Sequence, residues 1–547
     1  MSVRRLRAQG IPTLPHSFFM GHIPLLLRFH KDHPADAHFG VIMQWLANNH
    51  KQWFPDLDHA PPVLYLDVWP VFPDLMMMVL DARASAQFTQ HRSLPKHPIT
   101  RTFLEPLTDN LDMTSADGAL SKTWRSRFNP SFSPRNITLL IPELIDEILV
   151  FRGLLEQMAG AVGEGGEGGD GAWGDVFQLE EKTTNLTFDV ILRATMDERL
   201  HEQTTPHGSP LKQALISQIQ LMSKGVGINH VLGMKRMPWE SLARWRNNQV
   251  LRRALLGRIE ESLKPCGLLP DDGLKAGENE NEKETKKTIL NLAIARTLQE
   301  TNGNKPGQDA VEAILANLKL FLFAGHDTTS STICWMFKLL QDNPASLARL
   351  RAEHDDVLGA DPAQAAGALR RSPQLLNRLS YTHGVVKETL RFYPLASTVR
   401  QGEHGLSLTI PGPDPGTCYP TGGCAVHDVP SVIQLDPAVW ARAAEFLPER
   451  WLAGPGDPLL HPVRDAWRPF SMGPRNCIGL ELAMVEVKLV AALVCREFDI
   501  REAWEEWDLQ QGPNYPKPTI DGQRLYGAGK TVMHPKDGMP VHTGAEE

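Results

Sequence analysis

The stretch RPFSMGPRNCIGLELA, residues 468–483, places one cysteine, Cys477, where a Gly/Pro/Arg turn gives way to an apolar run. That run continues through residue 497, with Leu482, Val485, Leu489, Ala492 and Leu493 at helical spacing and apolar side chains around most of the circumference. A helix apolar on so many sides has to be buried. Its first turn carries unpaired N–H groups and the positive end of the backbone dipole, and both favour a thiolate. A cysteine taken at random is a buried, inert packing residue. Cys477 departs from that default because Phe470, Gly473, Arg475, Cys477 and Gly479 together satisfy the pattern Phe-x-x-Gly-x-Arg-x-Cys-x-Gly.

The pattern resembles the haem-binding loop of the cytochrome P-450 family. The resemblance implies haem b as cofactor, with Cys477 as the axial thiolate on the iron. Gly473 and Gly479 would let the loop approach the porphyrin face, with Phe470 beside it, and Arg475 would pair with a haem propionate. Thiolate ligation would supply electron density for splitting the O–O bond.

A second segment tests the first. Residues 308–341 run between Pro306 and Pro344 as one long helix of about 50 Å at 1.5 Å per residue. Its middle reads AGHDTT, residues 324–329, and a mid-helix glycine costs about 1 kcal/mol relative to alanine. The hexad is similar to the family's oxygen-activation motif. By that similarity Ala324 and Gly325 would open a groove for dioxygen, with a bulge in the hydrogen-bond ladder, and Asp327 and Thr328 would gate proton delivery. His326 falls on the variable position and is read as a packing or solvent-facing residue.

Further on, VVKETLRFYP puts Glu388 and Arg391 on one helix face, and FLPERW supplies Arg450. These resemble the family's second signature, which implies a buried ion cluster of Glu388, Arg391 and Arg450 that shapes the haem loop without making bonds. Arg400 in LASTVR and Arg125 in KTWRSRFNPSFS fall where relatives place propionate partners. The chain departs from the family at Ser121, where relatives usually carry Trp four residues before that arginine. For neighbouring Lys122 a propionate contact by resemblance and plain surface solvation both stay open. Arg464 and Arg468, outside the motif, are read as a contact for an acidic redox partner.

Composition bounds the class from the other side. The chain has 547 residues, 42% hydrophobic, and a net charge of −8 with no long basic run, which argues against nucleic acid as a partner. Six scattered cysteines, with no Cys-x-x-Cys pair, indicate neither a zinc site nor a disulfide framework. Segments 160–174, more than half glycine, and 271–287, mostly charged, read as loops. Short strands are expected near 60–80, near 395–435 and after 510, with helix dominating from 134 onward.

No run of about 20 apolar residues exists to span a bilayer. PHSFFMGH resembles the proline-rich segment that leads such chains into the catalytic domain. Membrane-anchored relatives carry a spanning segment before it, so the anchor is either absent or missing through truncation. Arg4, Arg5 and Arg7, with Phe18, Phe19 and Leu25 to Leu27, are expected to touch a lipid surface peripherally.

The expected fold is therefore mainly α with small β regions, a helical prism holding haem between a long central helix and the cysteine loop. Residues 1–20 would form a lead and 21–547 one catalytic domain. The expected function is a monomeric, cytosol-facing haem-thiolate monooxygenase, at the endoplasmic reticulum by resemblance. It would insert one atom of O2 into a lipophilic small molecule, by family type a fungal secondary metabolite, with electrons from NADPH through a separate flavoprotein reductase. The alternatives are a haem-thiolate isomerase, dehydratase or peroxygenase, and a non-catalytic haem sensor.

Overall fold

Pro306 and Pro344 bracket a helix that the computed structural model shows as one continuous element, Gln308–Asp342, with no bulge at the hexad. The structure describes residues 3–159, 173–224, 238–263, 288–301, 306–410, 417–460, 463, 465–529 and 531–545. The predicted loop at 271–287 and residues 160–172 of the other lie outside these.

In chain order, the helices that build and support the site are α1 (Val3–Ala8), α2 (Gly118–Phe128), α3 (Pro134–Met158), α4 (Leu179–Met196), α5 (Gln308–Asp342), α6 (Ser380–Phe392) and α7 (Leu480–Val494). Their starts follow local chemistry. Ser133 caps α3 by accepting from Asn136 N–H, with Pro134 in the first turn where a missing N–H costs nothing. Helix α5 is buried on nearly every side between Val311 and Leu340, and shares one apolar core with α3, α4, α6 and α7. Burial on all sides is why its sequence shows no polar stripe.

The segment 60–82 forms two strands, β1 (Val63–Leu66) and β2 (Leu75–Val79), every residue of which is buried. They join β3 (Val399–Gln401) and β4 (Cys424–Asp428) in the order β1-β2-β4-β3, with β2 and β4 parallel and the other pairs antiparallel. Alternate residues face two different cores: Val63, Tyr65 and Met77 pack with Val3 and Leu6 of α1, whereas Leu64, Leu66 and Met78 pack with Leu25, Met43 and Leu46. A strand covered on both faces has no use for polar residues, which explains the unbroken run LMMMV.

Near the C-terminus, β5 (Gly527–Ala528) pairs with β6 (His534–Pro535), and Pro540–Ala545 pairs with both Phe177–Gln178 and Phe498–Glu502. The strand Phe498–Glu502 and the helices Ile23–Asp32, Phe39–Asn48 and Pro98–Thr108 were not expected from the sequence. The membrane-contact reading also needs a correction. Leu25 is buried in the core beneath β1 and β2 and Leu26 is partly buried against it, leaving Phe18, Phe19 and Leu27 exposed.

On the side where its Cβ would project, Gly325 opens no groove, because α5 there lies close against Ile191 of α4. A Cβ there would lie 2.8 Å from both Cδ1 and Cγ1 of Ile191. Gly325→Ala is expected to destabilise the protein by about 1–3 kcal/mol through overpacking. Chemical denaturation checks this, because with Ile191→Ala already present the same change should add no further loss.

Candidate functional site

The cysteine loop is anchored at its start by a buried arginine. Arg468 donates from Nε to Asp428 Oδ2 at 2.8 Å, from Nη2 to Thr89 Oγ1 at 3.1 Å, and from its backbone N–H to Gln434 Oε1 at 2.7 Å. It is 1% exposed, so it cannot meet a redox partner, which overturns that reading of the sequence. Arg464 lies outside the described residues. Gly473 then turns the chain with φ +84°, and a Cβ there would come within 2.3 Å of Thr89 O. The loop closes when Cys477 N–H donates to Phe470 O at 2.8 Å. Phe470 packs its ring 6.0 Å from that of Trp467.

Cys477 has an exposed side chain yet lies deep within the protein, so its thiol lines an interior cavity. Burial pushes the thiol's pKa up, against the N–H groups of Gly479 and Leu480 at the start of α7 and the charge of Arg125. The helix terminus therefore acts as expected, but burial outweighs it in the protein alone. Arg125, on α2, donates from Nη1 to Asn476 O at 2.8 Å and from Nη2 to Asn476 Oδ1 at 2.6 Å, gripping the residue next to the cysteine. At Gly479 an added Cβ would meet a single neighbour, Cys477 Sγ at 3.9 Å, so packing of the protein itself does not require glycine there.

Beside the loop, three cations crowd one carboxylate. Arg475 pairs with Asp117, and Lys96 N–H donates to the same side chain at 3.1 Å. Arg400, on β3, is 5% exposed and its Nε has no partner. Burial first, and then the Arg475 charge, lowers its pKa to about 10. Lys96 is pulled down to about 8 by burial and by Arg475 and Arg400, with Asp117 opposing. Sequence reasoning missed Lys96. Its ammonium donates to Met113 O and Ala116 O at 2.7 Å each and to Ser121 Oγ at 3.4 Å, so it reaches the very residue that departs from the family. Lys122 is exposed.

The ion cluster forms as expected, fully buried. Glu388 binds Arg391 bidentately, at 2.9 and 2.8 Å, and meets Arg450 Nε at 3.4 Å, with all three side chains at 0% exposure. Its remaining acceptor capacity is filled by Trp451 Nε1–H at 3.0 Å and Leu447 N–H at 3.1 Å. Arg391 donates onward to the carbonyls of Gln434, Ala443 and Glu445. Gln434 in turn receives Arg468 N–H, so the cluster and the cysteine loop share one residue.

In α5 the hexad separates into two faces. Ala324 is exposed and Gly325, Asp327 and Thr328 are half-buried in a helix whose neighbouring turns are buried, and Thr328 Oγ1 donates back to Ala324 O at 2.9 Å. His326 is 2% exposed, with Nδ1 2.6 Å from Leu322 O and its ring edge-on to Phe188, confirming a packing role. Asp327 lies near His534, whose Nε2 is 3.7 Å from Asp327 Oδ2.

The Cytochrome P-450 family model matches residues 68–516. The chain belongs to the cytochrome P-450 family. It is 37% identical over 544 residues to cytochrome P-450 monooxygenase polC of Polytolypa hystricis, covering 98% of this chain and 90% of that protein. It is 28% identical to cytochrome P-450 monooxygenase acrF of Aspergillus aculeatus, covering 88% and 94%. Among solved structures, the haem domain of cytochrome P-450DA superposes with a TM-score of 0.69 at 20% identity, covering 98% of each chain, which shows the fold.

The cytochrome P-450 family is one of oxidoreductases that incorporate molecular oxygen, and its fold implies a haem-thiolate cofactor. The residues of this cytochrome P-450 fit that group. They provide a thiol on an interior cavity wall, a glycine beside it that the protein's own packing does not explain, and an unpartnered buried guanidinium Nε among excess cations suited to carboxylates. Glu388→Ala leaves two buried guanidinium groups uncompensated and is expected to destabilise the fold by about 3–5 kcal/mol, measured by urea denaturation.

Proposed function

We propose that this cytochrome P-450 is a haem-thiolate monooxygenase inserting one atom of O2 into a lipophilic small molecule, a fungal secondary metabolite. Electrons come from NADPH through a separate flavoprotein reductase. The observation that carries the reading is Cys477, a thiol lining an interior cavity at the start of α7, in a chain similar to fungal monooxygenases over nearly its full length.

Cys477 holds the iron of haem b. Arg400 and Arg475 hold the propionates, Arg475 exchanging or sharing its contact with Asp117, while Lys96, its ammonium committed to Met113 O, Ala116 O and Ser121 Oγ, adds positive charge nearby. Arg125 fixes Asn476, and through it the cysteine, while keeping a positive charge beside the thiolate. Phe470 and Gly479 shape the face on which the haem lies. When bound, the haem supplies dioxygen binding and activation, with the thiolate feeding electron density to the iron. Ala324 leaves room on the opposite wall, and Asp327 and Thr328 hold and pass protons there.

Phe323, next to Ala324 in sequence, and Phe103, its ring centroid 6.2 Å from that of Phe323, give that wall an apolar character suited to a lipophilic substrate. Segments 100–115, 210–235, 395–400 and 525–530 shape its specificity, residues 225–235 and Lys530 of these lying outside the described residues. The protein works as a monomer, one catalytic domain over 21–547 with a lead at 1–20, and faces the cytosol at the endoplasmic reticulum membrane. No described helix is long and apolar enough to cross a membrane. Contact is instead through Phe18, Phe19 and Leu27 beside the basic α1, where Arg4 sits 5.1 Å over the Phe18 ring.

The decisive test is the reduced, carbon-monoxide-bound absorption spectrum. Wild type is expected to show the thiolate-type Soret band and Cys477→Ser to lose it, and turnover is expected to need NADPH, reductase and dioxygen together. Product formed without any one of the three overturns the monooxygenase reading. For the surface, Phe18→Ser with Phe19→Ser is expected to lower sedimentation with phosphatidylserine vesicles several-fold while leaving the Soret band unchanged.

A further inference from the structure

His534 stands between two carboxylates from two different helices. Its Nδ1 is 2.8 Å from Glu180 Oε1 on α4, and its Nε2 is 3.7 Å from Asp327 Oδ2 on α5. Ser331 Oγ ties the group together, donating to Glu180 Oε1 at 2.9 Å and lying 3.3 Å from His534 Nδ1. The imidazole is held on β6, paired with Ala528 of β5 and backed by Gly529, where a Cβ would come within 3.2 Å of the ring. Among the described residues, Asp327 makes no other ion pair.

We propose that His534, oriented by Glu180, feeds protons to Asp327, so that the acid in the hexad is recharged by a positioning pair reaching it from α4 and the C-terminal hairpin. The proposal rests on the monooxygenase reading, in which Asp327 delivers protons into the cavity.

The chemistry balances as a single proton transfer, made when side-chain rotation brings Nε2 and Oδ2 from 3.7 Å to hydrogen-bond distance. The Nε2–H bond of the imidazolium breaks, an O–H bond forms at Asp327 Oδ2, and the ring is left neutral with its remaining proton on Nδ1, donated to Glu180. Glu180 thereby fixes the tautomer, so the proton that leaves is the one facing Asp327. His534 has a side chain 32% exposed, against 17% for Asp327 and 17% for Glu180, so the imidazole is the member of the group best placed to take a replacement proton from water.

The groups facing the imidazole support its holding that proton at neutral pH. Burial works against the charge, but the Glu180 hydrogen bond and the Asp327 and Glu180 charges outweigh it and raise the pKa to about 9. His38, from the segment before Phe39–Asn48, and His326 on α5 are the other titratable neighbours. Burial lowers both, His38 to about 4, so neither adds a competing positive charge at neutral pH. Because the folded-state value lies above 6.5, the pair stabilises the fold fully below pH 6.5, and that contribution is lost as pH rises through about 9.

The test compares His534→Gln, His534→Arg and Glu180→Gln in the full chain. Arginine keeps a positive charge between the carboxylates but does not release a proton in this range. If the pair feeds protons, both His534 variants retain the thiolate-type Soret band yet lose about tenfold in product formed per NADPH oxidised, with peroxide released instead. If the pair only braces the helices, His534→Arg restores coupling and the proposal fails. Loss of the Soret band in wild type would instead sink the underlying monooxygenase reading. Independently of turnover, 15N-histidine spectra of wild type, assigned by difference against His534→Gln, are expected to show an imidazole titrating near 9 that keeps Nδ1–H when neutral, and Glu180→Gln is expected to lower that midpoint. A wild-type midpoint near 6.5, or an Nε2–H tautomer, overturns the proposal even if the variants do not fold.

Discussion

One carboxylate, Glu388, sets the geometry on which the cysteine loop depends. Two guanidinium groups, an indole and a backbone amide all converge on it without solvent. Such a cluster gains little net stability over an apolar core of the same size, because desolvating the charges offsets their attraction. What it does supply is direction. Arg391 has its remaining donors committed to carbonyls of Gln434, Ala443 and Glu445, and Gln434 carries the backbone of Arg468 on its amide oxygen. The position of the loop that ends at Cys477 is thus inherited, through hydrogen bonds with narrow angular tolerance, from a buried charge on α6.

The seam between α4 and α5 follows a different logic. Two long buried helices usually meet through apolar ridges, but here hydroxyls line part of the contact: Thr187 Oγ1 donates to His326 O at 2.8 Å, and Ser330 Oγ lies 2.9 and 2.8 Å from the hydroxyls of Thr183 and Thr184. Gly325 lets the backbones approach at that level. The result is a close, polar contact directly behind the exposed Ala324, so that one helix serves as cavity wall on one side and as part of a hydrogen-bonded array on the other.

Much of this was legible in the sequence because the responsible signals are local. The spacing around Cys477, the proline-bracketed helix and the two ends of the ion cluster are each contained within a few turns of chain, and the structure brings Glu388, Arg391 and Arg450 together. Signals that depend on long-range partners were read less well. Arg468 looked like a surface residue because nothing near it in sequence discloses Asp428 or Thr89. Gly325 looked like an opening because Ile191 is 134 positions away, and Leu25 looked exposed because its cover comes from β1 and β2. Lys96 and His534 carried no signature at all; only a serine where relatives place tryptophan hinted that another side chain reaches into that space.

The parallel pairing of β2 with β4 joins residues 75–79 to 424–428, and the cysteine loop leans on Thr89 at one side and on Asp428 and Gln434 at the other. During synthesis, which releases the N-terminal part of a chain first, none of these supports can be complete until nearly four-fifths of the polypeptide has emerged from the ribosome. The long edge formed by β1 and β2 must wait, apolar on both faces, for a partner encoded some 350 residues later. Pairings of such separation close slowly. Maturation of this protein is therefore a late event, and the interval before it is when the nascent chain most needs shielding from aggregation.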